Sequence, residues 1–116
     1  MRSIELRTVD GRVVCERCLV ADSALARTRG LLGRSGLDPG EGLLLKPASS
    51  IHMFFMRFAI DVVFLGRGGE IRKVAANVRP WRLAAAWGAK MALELPSGEA
   101  GRRGIEVGDR LDLSEV

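Results

Sequence analysis

Tyrosine is absent from this 116-residue sequence, histidine occurs once, and aromatic residues make up 5%. Platforms on which bases could stack are therefore scarce, which argues against single-stranded nucleic acid as a ligand. Basic residues exceed acidic ones by four, but they are scattered and form no block of like charge. The concentrated basic footprint of a nucleic-acid binder is thus missing as well. Long apolar runs are also lacking. No uncharged stretch approaches the roughly 20 residues of a membrane-spanning helix. Met1–Arg7 has no apolar segment of the kind found in a secretory signal. A cytoplasmic protein without a membrane span is the simplest expectation.

Cysteine is limited to Cys15 and Cys18. A C-x-x-C pair acts in redox chemistry when it opens a helix, whose N-terminus stabilises the thiolate. It holds zinc when a second pair completes four ligands. Neither context is present, and the residues around the pair, Val13-Val14 and Leu19-Val20, read as a strand. Positions three apart in a strand face opposite ways, so both cysteines read as small apolar residues. Glycines punctuate loops without phosphate-loop spacing, and no G-x-S-x-G elbow occurs. The sequence therefore calls for no cofactor and no metal.

What is present is ordinary globular composition, with 47% hydrophobic and 28% charged residues. One domain spanning residues 1–116 is expected, with room for a modest core. Residues 3–8 and 12–21 flank Asp10-Gly11 and read as a hairpin. Asp22-Ser23 caps a short helix whose stripe is Ala24, Leu25, Thr28, Leu31 and Leu32, ended by Gly33. A glycine-rich loop leads to a short buried strand, Leu43–Leu45. Gly66–Gly69 turns a strand over 60–65 into a returning strand over 70–78. Leu83–Trp87 has the composition of a helical turn. Residues 89–95 alternate Lys90, Ala92 and Glu94 against Met91, Leu93 and Leu95, as in a half-buried strand. A second short helix follows Pro96-Ser97-Gly98, and a last strand covers 110–113. The sum is an α+β domain, mostly antiparallel sheet or small barrel, with two short helices.

The stretch Ile51–Leu65 stands out. It is the most apolar run, yet it contains His52, Arg57 and Asp61. Ionisable groups in such a run must be paired, placed at a rim, or used. Arg57 is the nearest cation to Asp61, and the pair would pin the turn over 56–59. The functional version has Arg57 presenting spare donors to a ligand. His52 has the pKa range of a general base, and His52, Met53 and Met56 are of ligand types that suit Cu(I). Methionines in an apolar run are more often core filler.

Several segments in this order resemble the bacterial and archaeal family called domain of unknown function 192. They are Arg29-Gly30-Leu31-Leu32-Gly33-Arg34, Gly40-Glu41-Gly42-Leu43-Leu44-Leu45, Ile51-His52 through Leu65, Leu93-Glu94-Leu95-Pro96-Ser97-Gly98 and Gly108-Asp109. The resemblance runs from about residue 5 to 113 and implies a β-rich α+β domain with no assigned activity. Some relatives carry signal or anchor segments, and some are associated with pilus or secretion machinery. Two departures are Ala59, where proline is common, and Phe55, where a small residue is usual.

The leading functional expectation is a non-enzymatic domain that binds a small polar or anionic ligand, or a peptide, in a cleft beside residues 51–61. His52, Arg57, Asp61 and Glu94 would form its polar rim. An alternative is an interaction module of a membrane or secretion assembly, with an exposed apolar patch that includes Trp81 or Trp87. A second alternative is an enzyme using His52 with Asp61. The partner is accordingly a small molecule or a protein.

Overall fold

The structure is a computed structural model of residues 1–116, described at every residue except Ala24, Leu25, Thr28 and Arg29. The described residues form nine strands: β1 (Arg2–Thr8), β2 (Val13–Ala21), β3 (Glu41–Leu45), β4 (Ser50–His52), β5 (Ile60–Leu65), β6 (Ile71–Val78), β7 (Leu83–Ala85), β8 (Met91–Pro96) and β9 (Leu111–Asp112). Seven make one sheet in the order β6-β5-β8-β3-β2-β1-β9, and β4 pairs with β7 in a separate ribbon. All neighbours are antiparallel except β2 and β3. The sheet curls until its two edges meet at one end, where Glu70 bridges Arg110. There the Ile71 N–H donates to the Asp109 carbonyl at 2.8 Å and the Leu111 N–H to the Gly69 carbonyl at 2.9 Å. The result is a half-barrel.

The residue pattern explains the placement. β5 is apolar on both faces and lies between β6 and β8, so it must be covered on both sides. Side chains alternate across a strand. Leu44, Val63, Leu65, Leu93 and Leu95 point into the curled interior, which the short helix Glu99–Arg102 and Ile105 help to close. Leu43, Leu45, Ile60, Val62, Phe64 and Ala92 point the other way. They are covered by Ile51, Met53, Met56 and Leu31.

Three expectations are revised. The expected α+β fold with two helices is mostly β: the described residues form nine strands, and Glu99–Arg102 is a single short helical turn. Of the first expected helix, the Ser23 cap is present: its Oγ accepts the Ala26 N–H at 3.1 Å, and Ala26 and Arg27 are helical. The stripe residues Ala24, Leu25 and Thr28 lie outside the described residues. The helical turn expected at Leu83–Trp87 is strand β7, because its backbone pairs with β4. The strand read as half-buried, β8, is buried along its whole length, because the β4–β7 layer lies over its even-numbered face.

The cysteines also differ from expectation. Ile4 pairs with Cys18 and Leu6 with Cys15, so two steps along β1 match three along β2. The extra residue is a bulge, which turns the strand over locally. Cys15 and Cys18 therefore face the same way and enter the same core cluster as free thiols. The neighbouring Cys15 thiol, together with burial, pushes the Cys18 thiol well above its ordinary range, and the two thiols donate to the Gly40 and Leu19 carbonyls.

Candidate functional site

The four expected residues divide between the two faces of the sheet. Asp61 alternates with Ile60 and Val62 on β5 and so turns toward the half-barrel interior. It is buried. One carboxyl oxygen accepts the Asn77 N–H at 2.9 Å. The other accepts the Gly98 N–H at 3.1 Å and the Ala100 N–H at 3.0 Å. Asp61 thus ties the start of β5 to the end of β6 and to the start of the short helix. Both Asn77 and Gly98 have positive φ, 52° and 88°, and their amides are turned to the carboxylate by those bends. Arg57 is exposed, and none of the described ion pairs joins it to Asp61. The expected Arg57–Asp61 pair is replaced by backbone donors.

His52 and Glu94 are brought to one place. A cavity of about 540 Å³ opens between the sheet and its second layer. Arg27, Gly30, Leu31 and Leu32 form one wall. Leu45, Pro47, Ala48, Ser49, Ser50, Ile51 and His52 form another, with Met56 and Glu94 completing the lining. Glu94 sits in the centre of the sheet, opposite Leu43 of β3 and Val62 of β5. It is 6% exposed. Burial among these apolar neighbours pushes its carboxyl up to about 7. None of the described hydrogen bonds or ion pairs takes up this carboxyl. Near neutral pH it exists in both forms, so it can donate or accept a hydrogen bond.

His52 lies at the rim. Its Nδ1 accepts the Phe54 N–H at 3.3 Å, and its ring stacks on Phe54 with centroids 4.9 Å apart. An acceptor Nδ1 places the proton of a neutral ring on Nε2. His52 makes no hydrogen bond with Asp61, whose oxygens are engaged on the other face.

Glu99, a buried carboxylate, was not singled out from the sequence. It accepts the Gly40 N–H at 3.0 Å and pairs with Arg102 and, at 3.2 Å, with Arg103. Burial alone would raise its pKa, but these partners outweigh that and hold it below the usual carboxylate range. The signal was the three- and four-residue spacing to two arginines on a helix. Glu99 fastens the loop before β3 to the helix and lies away from the cavity lining.

Half-barrel, covering ribbon and buried glutamate together define a β-rich domain with a cavity between two layers. The chain belongs to the DUF192 family, described as "Uncharacterized ACR", whose sequence profile matches residues 6–113. A UPF0127 protein of Thermococcus sibiricus is 35% identical over 107 residues, covering 88% of this chain and 69% of the relative. Another, of Pyrococcus abyssi, is 32% identical over 100 residues, covering 80% and 82%. A crystal structure of a Novosphingobium aromaticivorans protein of unknown function matches with a TM-score of 0.80 and 25% identity, over 95% of this chain and 83% of that one. A Sinorhizobium meliloti protein, described as a candidate transcription regulator, matches with a TM-score of 0.81 and 26% identity, over 95% and 91%.

Two outcomes follow from the carboxylates. Asp61→Asn replaces an acceptor of three N–H groups with an amide that clashes with at least one of them. It is expected to lower unfolding free energy by about 2–4 kcal/mol in urea titrations, and a change within error would contradict the tie. Glu94 has the opposite sign. Its folded pKa lies above the unfolded one, so the folded state holds more protons between about 4.5 and 7 and wild-type stability falls as pH rises through that window. Glu94→Gln lacks this loss. Its stability relative to wild type should increase by about 2–3 kcal/mol between pH 4.5 and pH 8, and a flat difference would contradict the burial of Glu94.

Proposed function

We propose that the protein binds a small organic molecule in the cavity between the sheet and its second layer. The ligand has both apolar and hydrogen-bonding parts, with one hydrogen-bonding end directed at Glu94 and His52 at the rim. The observation that carries this reading is a carboxyl group buried on an otherwise apolar sheet face and lining a cavity. The cavity volume, about 540 Å³, falls within the range of roughly 300–1,000 Å³ of small-molecule sites. The lining mixes apolar side chains with Arg27, Ser49, Ser50, His52 and Glu94; apolar contact supplies affinity, and placed polar groups fix orientation. A carboxyl titrating near neutrality favours an amine, imidazole or amide N–H over an anion, because an anion would force the proton to stay on Glu94. Arg57 and Asp61 stand outside this site.

A ligand-observed NMR screen of small fragments tests the reading. Fragments with an N–H or amine group on an aryl or alkyl body should bind wild type. Their affinity should fall about tenfold or more when Ala48→Phe fills the cavity, about 1.4 kcal/mol or more. Amine fragments should also weaken against Glu94→Gln. Hits that bind the Ala48→Phe protein as well as wild type would sink the proposal.

A further inference from the structure

The outer face of the β4–β7 ribbon faces away from the core and is bordered by large exposed apolar side chains. Ile51 and Ala84 pair and turn inward, whereas His52 pairs with Leu83, and Ser50 with Ala85, on the outer side. The turns on either side of β7 add exposed tryptophans. Leu83 is 69% exposed, Trp81 before it 59%, and Trp87 after it 95%. At the Trp81 end, Phe54 and Phe55 join the cluster, with ring centroids 5.9 and 4.9 Å from Trp81. Phe55 is 73% exposed. Phe55 and Trp81 both hold positive φ, 65° and 69°, a conformation large side chains seldom adopt. The Trp81 N–H donates to the Met53 carbonyl at 2.7 Å and the Met53 N–H to the Arg82 carbonyl at 2.8 Å, which locks the two aromatic loops together. The other end is fastened to β6, where Arg72 donates to the Trp87 carbonyl at 3.1 Å and Lys73 to that of Ala85 at 2.8 Å.

Charge is unevenly distributed around this face. Residues 43–93 carry eight of the 18 basic residues but two of the 14 acidic ones. Those two, Asp61 and Glu70, are respectively buried on backbone donors and placed at the bridge where the sheet edges meet. Arg57, Arg79 and Arg82 are exposed beside the aromatic loops. None of the described ion pairs uses them.

We propose that this face docks peripherally on a bilayer surface containing anionic lipid. The aromatic rings sit at the headgroup boundary and Arg57, Arg79 and Arg82 meet the lipid phosphates. Aromatic rings mixed with arginine are the composition of an interfacial anchor. A surface carrying three exposed arginines complements an anionic leaflet. Trp81 and Trp87 lie six residues apart, on turns flanking β7, so at most about 20 Å separates them, and both are exposed. No helix among the described residues is long and apolar enough to cross a membrane, so contact is from one side. This proposal is independent of the cavity.

The test uses sedimentation with vesicles of phosphatidylcholine, with and without phosphatidylserine. Trp81 and Trp87 are the only tryptophans, so their emission reports insertion directly. Wild type should sediment with the phosphatidylserine vesicles with a blue-shifted emission, should not sediment with phosphatidylcholine alone, and should be released by high salt. Phe55→Asn with Leu83→Ser removes apolar anchors, keeps both reporters, and places at 55 a residue that tolerates positive φ. Its partitioning should fall about tenfold or more, as should that of Arg79→Glu with Arg82→Glu. Retained binding by either folded variant overturns the proposal. So does failure of wild type to sediment, which would leave the face to a protein partner.

Discussion

The structure depends on burying the β5–β8 pair on both faces. Every residue of these two strands is buried, and each large apolar side chain removed from water there contributes about 1.5–3 kcal/mol. A single sheet cannot cover both of its own faces. One face is covered by curling, which brings β6 and β9 together at Glu70 and Arg110. The other face needs a second layer, supplied by the β4–β7 ribbon with Ala26, Leu31 and Leu37. Asp61 and Glu99 secure the first solution, holding loops and the short helix over the curled interior.

The second layer is where chemistry becomes available. A short ribbon laid over a wide sheet leaves space beneath it, and Glu94 occupies the sheet face at that space. The same ribbon has an outer side, and there large exposed side chains collect. His52 belongs to both, lining the cavity and stacking on Phe54. Its unusual position in the sequence is accounted for as a boundary residue between cavity and surface.

Much of this was legible from residue patterns. The Asp10-Gly11 turn, the doubly apolar β5, the Gly66–Gly69 reversal and the helix after Pro96 follow from local chemistry. The failures have a common cause in contacts distant in sequence. Arg57 was paired with Asp61 because it is near in sequence, whereas the donors are backbone amides of Asn77, Gly98 and Ala100 that no side-chain motif announces. Leu83–Trp87 is alanine-rich and carries no strand signal until β4 lies beside it. Glu94 alternates with Lys90 and Ala92 like a solvated face, and only the second layer makes that face interior. The bulge in β2 reversed the expected orientation of one cysteine. Of the expected site residues, His52 and Glu94 line one cavity, a convergence between positions 42 apart that local periodicity does not reveal.

The central claim is that Glu94 is a buried, titratable group in an interlayer cavity. The most direct measurement is a pH titration of its side-chain carboxyl carbon by NMR on the folded protein. The account predicts a midpoint near 7. A midpoint in the ordinary range near 4.5 would contradict it.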